Sequence, residues 1–140
     1  MKITLDYIPV ETSSGTIYRP GIFVTVFYGE RKRVYEFIID SGADYSLIQK
    51  EHALELGMDF ETGKKKTIKG ICRHGMDCVE KKVQLSVAGF DEPFESSVYV
   101  SKDIHLTTNL LGRDNFFEHY LVGFDQKGKK ISLDDRRKFF

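Results

Sequence analysis

Short runs of β-branched and aromatic residues, separated by turn-forming residues, recur along the 140-residue chain and limit the folds that it can adopt. Residues 22–28 and 34–39 form two such runs, and the glycine-containing segment 29–32 between them has the composition of a hairpin loop. The same criteria predict further strands at 3–9, 67–72, 79–87, 94–100, 120–124 and 130–133. The pattern therefore predicts a mainly β protein.

Two helices are predicted between these strands. Ser46 is placed to cap the first, and an apolar face at Leu47, Ile48, Ala53, Leu54 and Leu56 continues up to Gly57. The second is brief, over 115–119, with Asp114 as its cap. No repeat or linker divides the chain, so we expect a single domain over residues 1–140, with one medium and one short helix.

Charge and composition exclude several classes of partner. The 21 basic residues balance the 21 acidic ones, which gives no field that would favour nucleic acid. No segment reaches the roughly 20 apolar residues of a membrane span, and the first residues lack the pattern of a signal peptide. The two cysteines suggest no disulfide framework. We therefore expect a cytoplasmic protein that binds neither nucleic acid nor membrane.

Asp40 is the strongest candidate for a chemical role. The apolar segment 37–39 leads its carboxylate into the turn Ser41-Gly42-Ala43, where the glycine permits a sharp change of direction. A carboxylate at the end of a buried strand loses hydration, a cost that proteins tolerate where a site uses it. The triplet Asp-Ser-Gly is also a common turn composition, so taken alone it favours a purely structural turn.

Two longer segments give Asp40 its context. Residues 37–48 run from an apolar strand through Asp40, Ser41, Gly42 and Ala43, and residues 109–114 contain two leucines, a glycine and an arginine. In this order and spacing they resemble the catalytic loop, and the element before a short helix, of retroviral-type aspartic peptidases. Segments 121–125 and 130–133 are similar to the closing hairpin of that fold, so the resemblance extends from about residue 20 to 134.

The resemblance implies a role for each matching residue near Asp40. Asp40 would be the catalytic carboxylate, Ser41 would bond across a dimer, and Gly42 would present its carbonyl to the substrate backbone. Asp44 would pair with Arg113 and tie the loop to the short helix. Ala43, beside the carboxylates, belongs to the same supporting set.

A glycine-bearing hairpin between the two main segments is similar to the flap of that family. Its match is 68–71 together with Gly75, although Cys72, Arg73 and His74 stand where glycine-rich sequences are usual. The flap and substrate-binding residues implied by the resemblance are Ile68, Gly70, Ile71, Leu110, Leu111 and Gly112.

The implied fold is a closed, barrel-like aspartic protease fold that works as a homodimer. The mechanism needs two carboxylates that share a proton, whereas the chain has one Asp-Ser-Gly triplet, so a twofold axis would bring Asp40 against its symmetry mate. The substrate would be a peptide or protein, and no cofactor would be required. The alternative is a dimerisation or peptide-binding module that kept the fold without catalysis.

Cys72, His74 and Cys78 form the main rival site because all three are possible metal ligands. Their spacing matches no familiar pair of chelating turns, and the sequence offers no evident fourth ligand. We therefore predict no metal site.

Overall fold

A closed β-barrel dominates the computed structural model of the chain, which describes residues 1–69 and 75–136. Two helices and several additional strands surround it. The elements, in chain order, are β1 (Lys2–Asp6), β2 (Ile8–Thr12), β3 (Gly15–Arg19), β4 (Gly21–Tyr28), β5 (Arg31–Ile39), β6 (Ser46–Leu47), α1 (Lys50–Glu55), β7 (Lys65–Lys69), β8 (Gly75–Val87), β9 (Phe94–Ser101), β10 (Asn109–Leu111), α2 (Phe116–His119), β11 (Tyr120–Asp125) and β12 (Lys130–Asp135).

Six strands close the barrel in the order β4, β5, β10, β6, β9 and β8, and β8 pairs back onto β4. Most neighbouring strands are antiparallel, but β10 runs parallel to β5, and β6 runs parallel to β9. β7 extends the sheet beyond β8 as a ribbon outside the closed ring. The prediction of a mainly β, barrel-like fold is confirmed.

The barrel core follows from the alternation of side chains along the strands. Tyr35, Phe37 and Ile39 on β5 point inward and are buried, whereas the intervening residues are more exposed. The inward residues of β5 pack in one cluster with those of β4, β8 and β9, including Val24, Leu85 and Val98. The segment that contains Asp40 thus leaves directly from a strand whose position the core fixes.

The first helix is shorter than the sequence predicts. Ser46 and Leu47 form strand β6 between β10 and β9, and the helix begins only at Lys50, with Gln49 as its N-cap residue. Leu54 is consequently exposed instead of lying on a buried face. Strand pairing on both sides satisfies the backbone groups of β6, which a helix start at that point would leave open.

The second helix is present, with a different residue at its start. Asn115, not Asp114, is its N-cap residue, and the Glu118 carboxylate accepts a hydrogen bond from the Asn115 backbone N–H at 3.3 Å. Asn115 has a positive φ of 68°, a conformation that asparagine tolerates better than most residues. The chain can therefore turn sharply between Gly112 and the helix.

The ends of the described chain lie in two smaller sheets. β1, β12 and β11 form a three-stranded antiparallel sheet, and β2 pairs with β3 in a separate hairpin. The predicted single strand at 3–9 is thus divided at Tyr7, whose backbone N–H donates to the Lys129 carbonyl at 2.9 Å. Within the described residues, no helix is long and apolar enough to cross a membrane.

Candidate active site

Asp40 lies in a tight turn where β5 leaves the barrel. Its backbone N–H donates to the Leu111 carbonyl at 2.9 Å, and its carboxylate Oδ1 accepts a hydrogen bond from the Gly42 N–H at 2.9 Å. The Asp40 carbonyl accepts a further bond from the Ala43 N–H at 3.2 Å. These bonds fix both the backbone and the carboxylate of Asp40. The residues of the turn are small, so hydrogen bonds and not side-chain packing hold it.

The turn lies at the surface of the single chain. Asp40 and Ala43 are half-buried, and Ser41 and Gly42 are exposed. The apolar residues immediately before the turn are largely covered, since Phe37 and Ile39 belong to the core. The carboxylate therefore stands at the boundary between a packed barrel and open surface, where a second chain or a ligand can reach it.

Gly112 brings β10 against residues 40–44, the loop that the resemblance predicts to be the catalytic loop. A Cβ atom at this position would lie 2.4 Å from the Tyr45 carbonyl oxygen and 2.8 Å from that of Ala43. The Gly112 N–H donates to the Ser46 hydroxyl at 3.0 Å. This close approach of two backbones explains why a glycine follows the paired leucines.

The two leucines before Gly112 differ in their surroundings. Leu111 is fully buried in the barrel core, whereas Leu110 is half-buried and packs against a second cluster formed by Leu47, Cys78 and Tyr99. Leu110 thus borders the same side of the sheet as the predicted flap residue Ile68, which packs on that cluster too.

Asp44 and Arg113 are in contact. The Arg113 guanidinium donates to the Asp44 carboxylate, and both side chains remain more than half exposed, at 58% and 65% respectively. Main-chain bonds run beside the ion pair: the Arg113 N–H donates to the Ala43 carbonyl, and the Asp114 N–H donates to the Asp44 carbonyl, both at 2.9 Å. The loop is therefore attached to the segment after β10 by backbone and side chain together.

Asn109 is a supporting residue to which sequence reasoning gave no role. Its side chain is completely buried, where its amide oxygen accepts from the Gln49 N–H at 2.8 Å and its amide nitrogen donates to the Glu36 carbonyl at 3.1 Å. Its amide group also lies within hydrogen-bond distance of the His52 ring. The signal available in the sequence was a polar residue opening an apolar strand, which requires partners when buried.

A second missed group lies in an open depression beside the catalytic loop. The Lys66 ammonium stands 4.2 Å from the centre of the Tyr45 ring, and that ring contacts the ring of Tyr99. The Tyr99 hydroxyl donates to Glu80 at 3.0 Å. Burial, followed by this bond to Glu80, raises the pKa of Tyr99 to about 12. Ser41, Asp44 and Arg113 border the same depression.

The predicted flap corresponds to the ribbon of β7 and the first residues of β8. Its Thr67 hydroxyl donates to the Asp77 carboxylate at 2.9 Å, and Ile68 is half-buried. The predicted flap residues Gly70 and Ile71 lie outside the described residues, as do Cys72, Arg73 and His74.

The described part of the chain contains no cluster of three or more residues arranged to hold a metal ion. Cys78, the one member of the rival zinc set that the structure describes, is a buried residue of the flap ribbon itself, on β8 opposite Lys66. Burial, assisted by the charge of Asp77, raises the pKa of the Cys78 thiol to about 11. A thiol in this state is a poor nucleophile and a poor metal ligand at neutral pH.

Comparisons with known proteins agree with this arrangement. A family model described as retroviral aspartyl protease matches residues 18–119. A retropepsin-like aspartic protease from Rickettsia conorii has a similar structure, with a TM-score of 0.59, 18% sequence identity and coverage of 95% of this chain and 90% of that one. EIAV protease, complexed with the inhibitor HBY-793, gives a TM-score of 0.54 at 20% identity, over 71% of this chain and 86% of that one. No curated protein matches the sequence.

Proposed function

The chain belongs to the family of retroviral aspartyl proteases, and from that membership we propose that it is an aspartic endopeptidase whose active site is completed by a second copy of itself. The catalytic groups are Asp40 of each subunit. The observation that carries this proposal is the turn at Asp40, whose main-chain bonds hold a half-buried carboxylate at the open edge of the barrel.

The need for two subunits follows from the chemistry. The sequence contains one Asp-Ser-Gly triplet, and a single carboxylate cannot serve as acid and base at once. Two carboxylates a few ångströms apart cannot both ionise easily, so one keeps a proton while the other accepts one. A twofold axis beside Asp40 supplies such a pair, because symmetry places the same residue on both sides. The exposure of Ser41 and Gly42 leaves this edge open to a partner.

The reaction is the hydrolysis of a peptide bond by a water molecule held between the two carboxylates. The ionised Asp40 takes a proton from the water as its oxygen attacks the peptide carbonyl carbon, and the protonated Asp40 donates to the carbonyl oxygen. Collapse of the resulting tetrahedral intermediate breaks the carbon–nitrogen bond, and the departing nitrogen receives a proton from the pair. Every proton transfer in this reaction is made by Asp40 of one subunit or of the other.

The loop around Asp40 has a positioning role in this proposal. Ser41 bonds across the dimer and keeps the two turns in register, and Gly42 offers its carbonyl to the substrate backbone. Asp44 and Arg113 hold the loop against the segment after β10, where their ion pair stands beside the main-chain bonds. Ala43 keeps the space next to the carboxylates small.

The substrate binds as an extended peptide between the catalytic loop and the flap ribbon. An extended peptide satisfies its backbone groups by strand-like pairing and presents alternate side chains to pockets on each side. Ile68 and Leu110, which pack on the cluster of Leu47, Cys78 and Tyr99, offer an apolar wall for one such pocket. Gly70 and Ile71 are proposed to complete the flap, and Leu111 and Gly112 to support the pocket floor.

The experiment that tests this function is incubation with an unbiased peptide library, analysed by mass spectrometry. Asp40→Asn should lower cleavage by at least ~1000-fold, because the amide resembles the carboxylate in size but is neither acid nor base. Asp91→Asn, which alters an exposed aspartate in a loop, is the matched control and should leave cleavage unchanged. Chelators should have no effect.

Three outcomes would contradict the proposal in different ways. Cleavage that persists in Asp40→Asn would exclude this carboxylate as the catalytic group. Cleavage lost in chelator and restored by zinc would favour the set of Cys72, His74 and Cys78. Peptide binding without cleavage, under all conditions tested, would favour a non-catalytic peptide-binding module. The cytoplasmic location expected from the cysteine content is a separate proposal, which cell fractionation tests.

A further inference from the structure

Lys66 lies on the face of the flap ribbon that is turned toward the barrel. Because side chains alternate along a strand, Lys66 shares its face of β7 with Ile68, whereas Lys65 lies on the opposite face. Cys78, directly opposite Lys66 in the register of the ribbon, is buried in the second apolar cluster, and Ile68 packs on that cluster. The ribbon therefore places one cation among the side chains that face the barrel.

The depression that Lys66 enters begins beside the catalytic residue. Ser41, which follows Asp40, borders it, as does Tyr45 at the end of the catalytic loop. The Lys66 ammonium stands 4.2 Å from the centre of the Tyr45 ring, and the centres of the Tyr45 and Tyr99 rings are 5.1 Å apart. The cation thus stands beside the path of a peptide whose carbonyl group reaches Asp40.

The Lys66 ammonium has no carboxylate partner within the described residues, since none lies within 4 Å of it. Two of the carboxylates that border the depression already have partners of their own. Asp44 accepts from the Arg113 guanidinium, and Glu118 accepts from the Asn115 N–H. The N–H donors of the ammonium are consequently available to a ligand.

The ring contact orients the ammonium and leaves its charge in place. The face of a tyrosine ring attracts a cation without using its hydrogen-bond donors, so Tyr45 positions Lys66 for a further partner. A carboxylate makes charge-assisted bonds with such donors. Asp114, at the border of the depression, supplies competing negative charge. A direct bond to the ammonium outweighs that charge, which stands more than 4 Å from it and is screened by water.

We propose that Lys66 selects peptide substrates that carry an acidic side chain, whose carboxylate it binds in the depression beside the catalytic loop. The inference rests on the proposed function, because a peptide must lie between the loop and the flap ribbon for its side chains to reach Lys66. The reaction stays with Asp40, and Lys66 determines which peptides are presented to it.

The first test measures kcat/KM on a peptide that the library experiment shows to be cleaved, with glutamate or glutamine placed at each position near the scissile bond in turn. At the position that lies against the depression, glutamate should be preferred by at least about fivefold, the size expected for an exposed ion pair. The preference should appear in KM, because the contact is made equally in the bound substrate and in the transition state. Added salt should reduce it in the wild type.

Two variants of Lys66 and one of its neighbour test the assignment. Lys66→Met keeps the apolar stem and should bring the ratio for glutamate over glutamine to about one, and Lys66→Glu should reverse it. Lys65→Met is the matched control, since it removes the same charge from the adjacent position on the opposite face of β7. The control should keep the preference of the wild type.

The second test measures binding and does not require cleavage. Immobilised Asp40→Asn protein captures peptides from the same library, and mass spectrometry identifies the bound fraction. Peptides with aspartate or glutamate should be enriched. The enrichment should be lost when Lys66→Met is added to Asp40→Asn and should remain when Lys65→Met is added instead.

The outcomes separate this inference from the function on which it rests. Cleavage with no preference between glutamate and glutamine at any position overturns the role of Lys66 and leaves the proposed function intact. An equal loss of preference in Lys65→Met also overturns it, because the overall charge of the ribbon would then attract the peptide. Enrichment of basic peptides overturns it in favour of the carboxylates of Asp114 and Glu118. Acidic peptides that are captured through Lys66 but never cleaved support the inference and contradict the proposed catalysis.

Discussion

The catalytic loop, residues 40–44, and the flap ribbon border the same open depression but are fixed by different kinds of contact. The loop is held by main-chain bonds from Asp40, Ala43 and Asp44 to the segment Leu111–Asp114, and by a glycine that no other residue can replace without collision. The ribbon is attached along β8 as an outer pair of strands, and most of its side chains are exposed.

This difference in contacts implies that the geometry of the loop is fixed, whereas the side chains of the ribbon can vary. Backbone bonds and close backbone contacts hold the Asp40 carboxylate whatever the surrounding side chains are, so the geometry of the loop is insensitive to most substitutions. The ribbon presents Lys66, Ile68 and Asp77 as side chains that can change without loss of strand pairing. In the proposed function, the loop would therefore determine the reaction, and the side chains of the ribbon would be free to determine the substrate.

The largest expected contrast is in the pH dependence of cleavage. Because the two Asp40 carboxylates must hold one proton between them, the rate should follow a bell with its maximum at roughly pH 5 to 6. Beyond each limb it should fall about tenfold per pH unit, to at least ~100-fold below the maximum at pH 9. The measurement is a rate profile on one peptide at fixed ionic strength, with the dimer content monitored at each pH.

Asp77→Asn is the corresponding change on the flap ribbon. Asp77 is an exposed carboxylate that accepts a bond from Thr67, so its loss should leave both limbs of the bell in place. A rate that rises steadily to pH 9 in the wild type would contradict a pair of carboxylates and would point to a thiol or a metal-bound hydroxide.

The next contrast compares two glycines. In Gly112→Ala the new methyl group meets the backbone of Tyr45 and Ala43, which cannot move without displacing the loop, so we expect a loss of about 3 kcal/mol in unfolding free energy. In Gly75→Ala on the ribbon the methyl group meets only the Thr67 Cγ2 atom at 2.6 Å, and that side chain can rotate. We expect its effect to stay within about 1 kcal/mol.

Urea unfolding at matched protein concentration measures both glycine variants. Equal losses in the two variants would show that the ribbon is as tightly fixed as the loop. That result would contradict the proposed division, in which the loop fixes the catalytic groups and the ribbon determines the substrate.

Local patterns in the sequence were enough to predict the strands, and the family resemblance predicted the barrel and the position of the loop, but the contacts between distant segments were not predicted. The β-branched runs and the turn residues sufficed for β4, β5, β8 and β9, because strand periodicity is a local property. Ser46 is a residue whose contact a local pattern does not predict. A hydroxyl before apolar residues has the pattern of a helix cap, yet it accepts a bond from Gly112, 66 residues further along the chain.

The residues of the depression were missed for the same reason. Tyr45, Lys66 and Tyr99 come from three separate segments, and none has a neighbour in sequence that would indicate the contact. Asn109 is a buried amide whose partners are Gln49, Glu36 and His52, all at least 57 residues away. Only the folded barrel brings these groups together.

A third comparison concerns the hydrogen bond from Tyr99 to Glu80, which lies where the flap ribbon meets the barrel. Its contribution to stability should depend on pH. Burial acts to raise the pKa of Glu80, but bonds from Tyr99 and Ser97 and the charges of Lys82 and Lys64 outweigh it and leave the pKa lowered. A lowered folded-state pKa means that ionised Glu80 stabilises the fold above the ordinary glutamate pKa of about 4.3. This contribution is lost as the pH falls through the folded value.

Tyr99→Phe should therefore lower the unfolding free energy by about 1.5 kcal/mol at neutral pH, and by progressively less below pH ~4. Urea unfolding at pH 7 and pH 3.5 gives both values. Tyr45→Phe is the control, because it keeps the ring beneath Lys66 and removes a hydroxyl that makes no hydrogen bond within the described residues. A pH-independent loss in Tyr99→Phe would mean that ring packing, and not the bond to Glu80, is what the variant disturbs.

The smallest expected effect concerns the ion pair between Asp44 and Arg113, and it decides whether backbone or side chains hold the catalytic loop. Both side chains are more than half exposed, and an exposed pair contributes less than about 1 kcal/mol. Arg113→Gln should therefore destabilise a monomeric sample by less than about 1 kcal/mol, and added salt should reduce the loss further because it screens exposed charges. The bonds from the Arg113 and Asp114 N–H groups to the loop are main-chain bonds and survive the substitution.

The measurement is urea unfolding at low and high salt, first at dilutions where the chain is monomeric and then where it is dimeric. A loss that grows on dimerisation would show that the partner buries the pair, since removing one member of a buried pair leaves the other charge uncompensated. A loss in the monomer as large as that of Gly112→Ala would instead make the side chains, and not the backbone, the main support of Asp40.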